Sequence, residues 1–182
     1  MSRKGNGFRL EFVGLNEGKH TFSYSLGKDF MDLFPGTEAF SDLDVHVSAE
    51  LEKHERMMSL LFRFSGTAGT RCDRCLRPLR YDVDVEEEII VKTVSEGDSG
   101  ALDEENLWWI SEKETFLDLA SYFYETVVLS RPMQVFCPQD GNGNPTCDPA
   151  MLDLCGLHAL DRETGTETDP RWDALKKLKE GI

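Results

Sequence analysis

Cys72 and Cys75 stand three positions apart in a stretch where arginine recurs at every third position, Arg71, Arg74, Arg77 and Arg80. A C-x-x-C pair serves two kinds of chemistry. It supplies half of a tetrahedral thiolate site for zinc, at Zn–S of about 2.3 Å, or it cycles between dithiol and disulfide. The redox role needs the pair at a helix N-terminus, where the dipole lowers the thiol pKa. Here the flanking residues alternate as strands do, and Pro78 stands where such a helix would run. The pair is therefore expected in a turn at the tip of a β-hairpin. Cys137 and Cys147 bound a stretch of turn-forming residues, Pro138, Asp140, Gly141, Asn142, Gly143, Asn144 and Pro145, with no hydrophobic period to hold it. They are nominated as the second pair, giving a zinc site of Cys72, Cys75, Cys137 and Cys147. Cys155 follows a leucine-rich stretch and reads as a small buried hydrophobe, and His158 is a reserve ligand. The four arginines would favour thiolates and offset the charge of a four-thiolate site. They are also candidate RNA-phosphate contacts, against the alternative that they neutralise acidic neighbours.

No other chemistry is legible. The chain has no Gly-rich phosphate loop, no serine-nucleophile motif and no H-x-x-x-H spacing among its four histidines. No catalytic residue is assigned, no small-molecule substrate is evident, and the chain reads as a non-enzyme. Its net charge of −14 is concentrated between residues 82 and 118, where thirteen acidic residues face two lysines. Gripping bare nucleic acid calls for a basic face, so a basic protein, or RNA already covered by basic proteins, suits this field better. The simpler reading is that acidity keeps the protein soluble. No apolar run approaches the roughly 18 residues of a membrane span, and the first residues lead into no signal-peptide core. A cytoplasmic protein with reduced cysteines is expected.

The elements that must position the cysteines follow from periodicity. Residues 8–13 and 20–26 alternate as strands and are expected to pair as a hairpin. Residues 28–34 form a short helical candidate closed by Pro35 and Gly36. Residues 41–52 and 57–67 read as adjacent antiparallel strands joined by a charged tip, and the small residues of 65–70 as a close backbone approach or a bulge. Alternation resumes over 81–91. Residues 95–106 read as a mobile loop and 107–110 as one more strand. Thr115 is expected to cap a helix with Phe116, Leu119, Ala120, Phe123 and Val127 along its core stripe, stopped by Pro132. A short helix is expected within 148–160, a polar linker over 161–168, and a last helix opened by Asp169 and Pro170 with Trp172, Leu175 and Leu178 on one face.

Three stretches together resemble the YceD family, the large ribosomal RNA subunit accumulation proteins. They are Cys72-Asp73-Arg74-Cys75-Leu76-Arg77-Pro78, the helix carrying Leu117, Asp118, Leu119 and Glu125 into Leu129-Ser130-Arg131-Pro132, and Asp169-Pro170-Arg171-Trp172 with Leu175 and Leu178. The resemblance spans roughly residues 10 to 180. It implies a role in accumulation of 23S rRNA and assembly of the large ribosomal subunit, with no known catalytic activity. Cys137 and Cys147 stand where family members vary, at matching distance from Pro132. The expected fold is a single α+β domain over 1–182: an antiparallel, barrel-like or strongly bent sheet within 8–94 bearing the knuckle, a core helix region at 107–132, a cysteine-containing loop and linker at 133–168, and a C-terminal helix at 169–180. The expected partners are a large-subunit precursor, through a basic ribosomal protein or 23S rRNA, with no membrane. The alternative is a cytoplasmic thiol redox protein using Cys72 and Cys75.

Overall fold

Alternating apolar and polar residues dominate the first half of the chain, and each alternating run becomes a strand with one face inward. The computed structural model describes residues 7–35, 40–94 and 106–154. In order these form β1 (Arg9–Glu11), β2 (Gly18–Leu26), α1 (Lys28–Met31), β3 (Leu43–Lys53), β4 (Met57–Arg71), β5 (Pro78–Val94), β6 (Leu107–Ser111), β7 (Phe116–Asp118), α2 (Ala120–Leu129) and α3 (Pro149–Leu154). The chain divides into two compact units, Met1–Asp73 with Pro78–Val135, and Arg74–Arg77 with Phe136–Ile182. The loop reading falls largely on 95–105, outside the described residues. So do Cys155, His158, the linker at 161–168 and the C-terminal helix at 169–180.

The larger unit is α+β, built on a mostly antiparallel five-stranded sheet in the order β2-β3-β4-β5-β6. β3 buries Leu43, Val45, Val47, Ala49 and Leu51, while Asp44, His46 and Glu50 face outward. β4 buries Leu60, Phe62 and Phe64 on the same side. α2 lies on that face. Phe123 is fully buried, with its ring 5.6 Å from both Phe62 and Phe64, and Tyr122 packs against Trp108. The Tyr81 hydroxyl donates to the Val127 carbonyl at 3.3 Å, joining β5 to the helix. Such a helix-on-sheet layer removes the apolar faces of both elements from water together.

The structure corrects several sequence expectations. The sheet is open, with β2 and β6 as its two ends, so it does not close into a barrel. β1 and β2 do not pair as a hairpin: β2 pairs with β3, and β1 pairs with β7 through Leu10 and Leu117. Alternation marks a strand's faces but not its partner. β7 occupies the residues expected to open the helix after Thr115. The sequence there matches both periods, and pairing with β1 claims Phe116, Leu117 and Asp118 for a strand. The helix starts at Ala120, whose N–H donates to the Asp118 carboxylate at 3.2 Å. β6 runs parallel to β5, from Ile90 against Leu107 to Val94 against Ser111. Parallel neighbours need a return of about a dozen residues or more, a length the segment 95–106 supplies.

The β4–β5 ladder is unbroken from Met57 against Lys92 to Arg71 against Pro78. The small residues at 65–70 therefore mark close approach rather than a bulge. Gly66 has φ +154°, and a Cβ there would strike the backbone of Asp44 and Val45. The uninterrupted register delivers Cys72 to the hairpin tip.

Candidate metal centre

The turn at 72–77 joins the two longest strands, so its position is set by the ladder beneath it. Leu76, just after Cys75, has φ +59°. A left-handed backbone costs a non-glycine residue about 1 kcal/mol or more, which surrounding contacts must offset. Asp73 anchors the turn on one side. Its N–H donates to the Val135 carbonyl at 2.9 Å, and its carboxylate accepts from the Val135 N–H at 2.6 Å. The same carboxylate pairs with Arg131 at 2.9 Å. These contacts hold the backbone at Val135, two residues before Cys137.

Within the smaller unit, Arg77 donates from Nη1 to the Thr146 carbonyl at 3.0 Å, tying the first turn to the residue before Cys147. The Arg74 guanidinium lies 4.2 Å from the centre of the Phe136 ring, beside Cys137. The loop between Cys137 and Cys147 organises itself as well. Asp140 accepts from the backbone N–H groups of Asn144 at 2.8 Å and Asn142 at 2.9 Å, which hold its carboxyl below the usual carboxylate range. The Thr146 hydroxyl and N–H both donate to the Pro138 carbonyl, at 2.7 and 3.1 Å. Beyond it, Asp148 accepts from Ala150 N–H at 3.0 Å, starting α3 with Pro149 in its first position. The loop expected to depend on a metal for its order thus has a hydrogen-bonded frame of its own.

The sulfurs of Cys72, Cys75, Cys137 and Cys147 all lie within 4.8 Å of one another, and all four residues are buried. Cys75 and Cys137 approach to 3.5 Å between sulfurs. A regular tetrahedron of thiolates around zinc at about 2.3 Å has edges of about 3.8 Å. The cluster therefore has the donor type, number and spacing of a four-thiolate site, and is compatible with metal binding. Among the described residues it is the one such group of histidine, cysteine or carboxylate side chains. Cys72 and Cys75 lie in a strand-to-strand turn and not at the N-terminus of a described helix, the setting that the redox role calls for.

The four arginines do not act as one set. Arg80 pairs with Asp42 at 3.0 Å and donates to the Thr67 hydroxyl at 3.0 Å. Arg77 and Arg74 take the positions above, while Arg71 is exposed at the end of β4. Motif spacing alone did not reveal the roles of Asp73, Arg131 and Asp140. One signal was present: an acid inside C-x-x-C and a basic residue just before Pro132 form a complementary pair once the two motifs are read together.

Residues 60–179 match the family model described as Large ribosomal RNA subunit accumulation protein YceD. Searches of curated proteins and of solved structures return no match.

Proposed function

The chain belongs to the YceD family of large ribosomal RNA subunit accumulation proteins, and from that premise we propose that it is a non-enzymatic factor supporting 23S rRNA accumulation and large-subunit assembly. It acts by binding, to a basic ribosomal protein or to the rRNA precursor that carries it. The family match is the observation that carries the reading. The charge of the chain supports it, because an acidic protein is drawn to the basic proteins of a precursor particle.

In the same reading zinc occupies Cys72, Cys75, Cys137 and Cys147 and serves a structural role. Four soft donors leave no open coordination position for a substrate, as in closed structural sites. Bound there, the metal would cross-link the hairpin tip to the loop of 137–147. Arg71 and Arg74, both exposed, are the candidates for local rRNA-phosphate contact, Arg74 while lying over the Phe136 ring; Arg77 and Arg80 are held by Thr146, Asp42 and Thr67.

Sedimentation of a cell lysate tests this function. The tagged protein is expected to migrate with free large subunits or their precursors at low salt and to leave them as salt rises. Replacing Arg71 and Arg74 with glutamate should reduce that association, and unchanged association would remove both from the interface. Migration only at the top of the gradient, with normal 23S rRNA in a deletion strain, would overturn the assembly role.

A further inference from the structure

The five-stranded sheet buries one face under α2, while among the described residues nothing covers the opposite face. Side chains exposed on that face come from four adjacent strands, including Ser23, Ser25, His46, Glu50, Arg63 and Glu86. Two features give the face its character. The first is a column of carboxylates along β5: Asp82, Asp84, Glu86 and Glu88, at every second residue. Alternate residues of a strand project on one side about 6.6 Å apart, so the column is regular. Arg63 offsets part of it by bridging Glu50 and Glu86, at 2.5 and 2.7 Å. Asp82 and Asp84 stand beyond that bridge, opposite Thr67 and Ser65.

The second feature is apolar. At the other end of the same face, Met57, Ile90 and Trp109 are each more than a third exposed. Register places them together: Met57 pairs with Lys92, Lys92 with Trp109, and Ile90 lies one step along β5. The Lys92 ammonium, 5.6 Å from the Trp109 ring centre, shares the patch. A surface tryptophan beside aliphatic side chains is the kind of residue that anchors a protein partner. Solubility alone needs no such patch.

We propose that this open sheet face is the docking surface for an extended, Lys/Arg-rich protein segment with an apolar end. The basic residues would meet the β5 carboxylate column, and the apolar end would cover Met57, Ile90 and Trp109. The proposal rests on the assembly-factor reading for the partner's origin, a basic ribosomal protein, and adds the surface and the form of the segment. From Asp82 to Lys92 the face spans about 33 Å, the length of about ten extended residues. Charge decides among occupants. RNA phosphate is repelled by the carboxylate column, and a second copy of a chain of net charge −14 brings the same sign. A small cation would make no use of the apolar end.

Fluorescence anisotropy on the 182-residue chain tests the surface. The probe is a labelled peptide of about twelve residues, with lysine at alternate positions and a leucine-isoleucine end. The double variant Asp82→Lys with Asp84→Lys is expected to weaken binding by about tenfold or more, while Glu11→Lys with Glu125→Lys, an equal change in net charge elsewhere, should alter it by less than about twofold. Trp109→Ser should weaken binding and leave its salt dependence unchanged. Circular dichroism confirms the fold of each variant, and the gentler Asp82→Asn with Asp84→Asn should give an intermediate loss. Equal losses in the face and control variants, or no loss in the face variants, would overturn the proposal. Sedimentation separates it from the function it rests on. A face variant that still travels with precursor particles removes the surface and leaves the function. Face-specific peptide binding by a protein that never joins the particles does the reverse.

Discussion

At the scale of single residues, the four cysteines form a cluster compatible with a metal, and Asp73 anchors the backbone that leads to Cys137. Its carboxylate is shared between the Val135 N–H and Arg131, so it orders the backbone two residues before Cys137. Groups that orient metal ligands without touching the metal commonly change affinity by about 10- to 100-fold when lost. Asp73→Ala is therefore expected to weaken zinc binding by about tenfold or more, read by competition with a chromogenic chelator. Cys75→Ser should abolish stoichiometric binding, because it removes a ligand outright. Wild-type affinity in Asp73→Ala would show that the cysteine loop finds its place without this clamp. Asp73 lies inside the C-x-x-C motif and was visible in sequence, yet its partner lies 58 positions away. No local pattern connects the two.

At the scale of elements, the sheet and the cysteine loop have different sources of order. β3, β4 and β5 form long in-register ladders, and α2 covers their apolar face with Phe123 at its centre. The 137–147 loop contributes few buried apolar side chains and relies on Asp140, Thr146 and Arg77 for its hydrogen bonds. If zinc fills the site as proposed, its chelation should therefore raise hydrogen exchange in the loop and the 72–77 turn. Amides of β3–β5 should stay protected, and the far-ultraviolet circular dichroism nearly unchanged. Loss of protection across the sheet on chelation would mean that the metal supports the whole fold and not one end of it. The strands of this core were legible because their alternation runs over nine or more residues. The three-residue strands β1 and β7 were misassigned in pairing or type, since so few residues carry no decisive period.

At the scale of the whole molecule, charge sorts the partners. A chain of net −14 has no general attraction for phosphate. Purified protein is expected to shift naked 23S rRNA far more weakly than precursor particles bearing basic ribosomal proteins, in a gel-shift comparison at one salt concentration. Equal affinity for both would place the contact on RNA and give Arg71 and Arg74 the leading role. The sequence by itself determined the soft donor set, the hairpin around Cys72 and Cys75, the one-sided strands and the acidic field, because each depends on residue type and short-range spacing. Its three ordered motifs also pointed to the family. Only the tertiary structure decided that the sheet stays open, that β6 returns parallel to β5, and that Cys137 and Cys147 meet the hairpin cysteines. Those outcomes depend on which distant segments pair, and pairing is settled by the joint burial of faces that no stretch of sequence can bury alone.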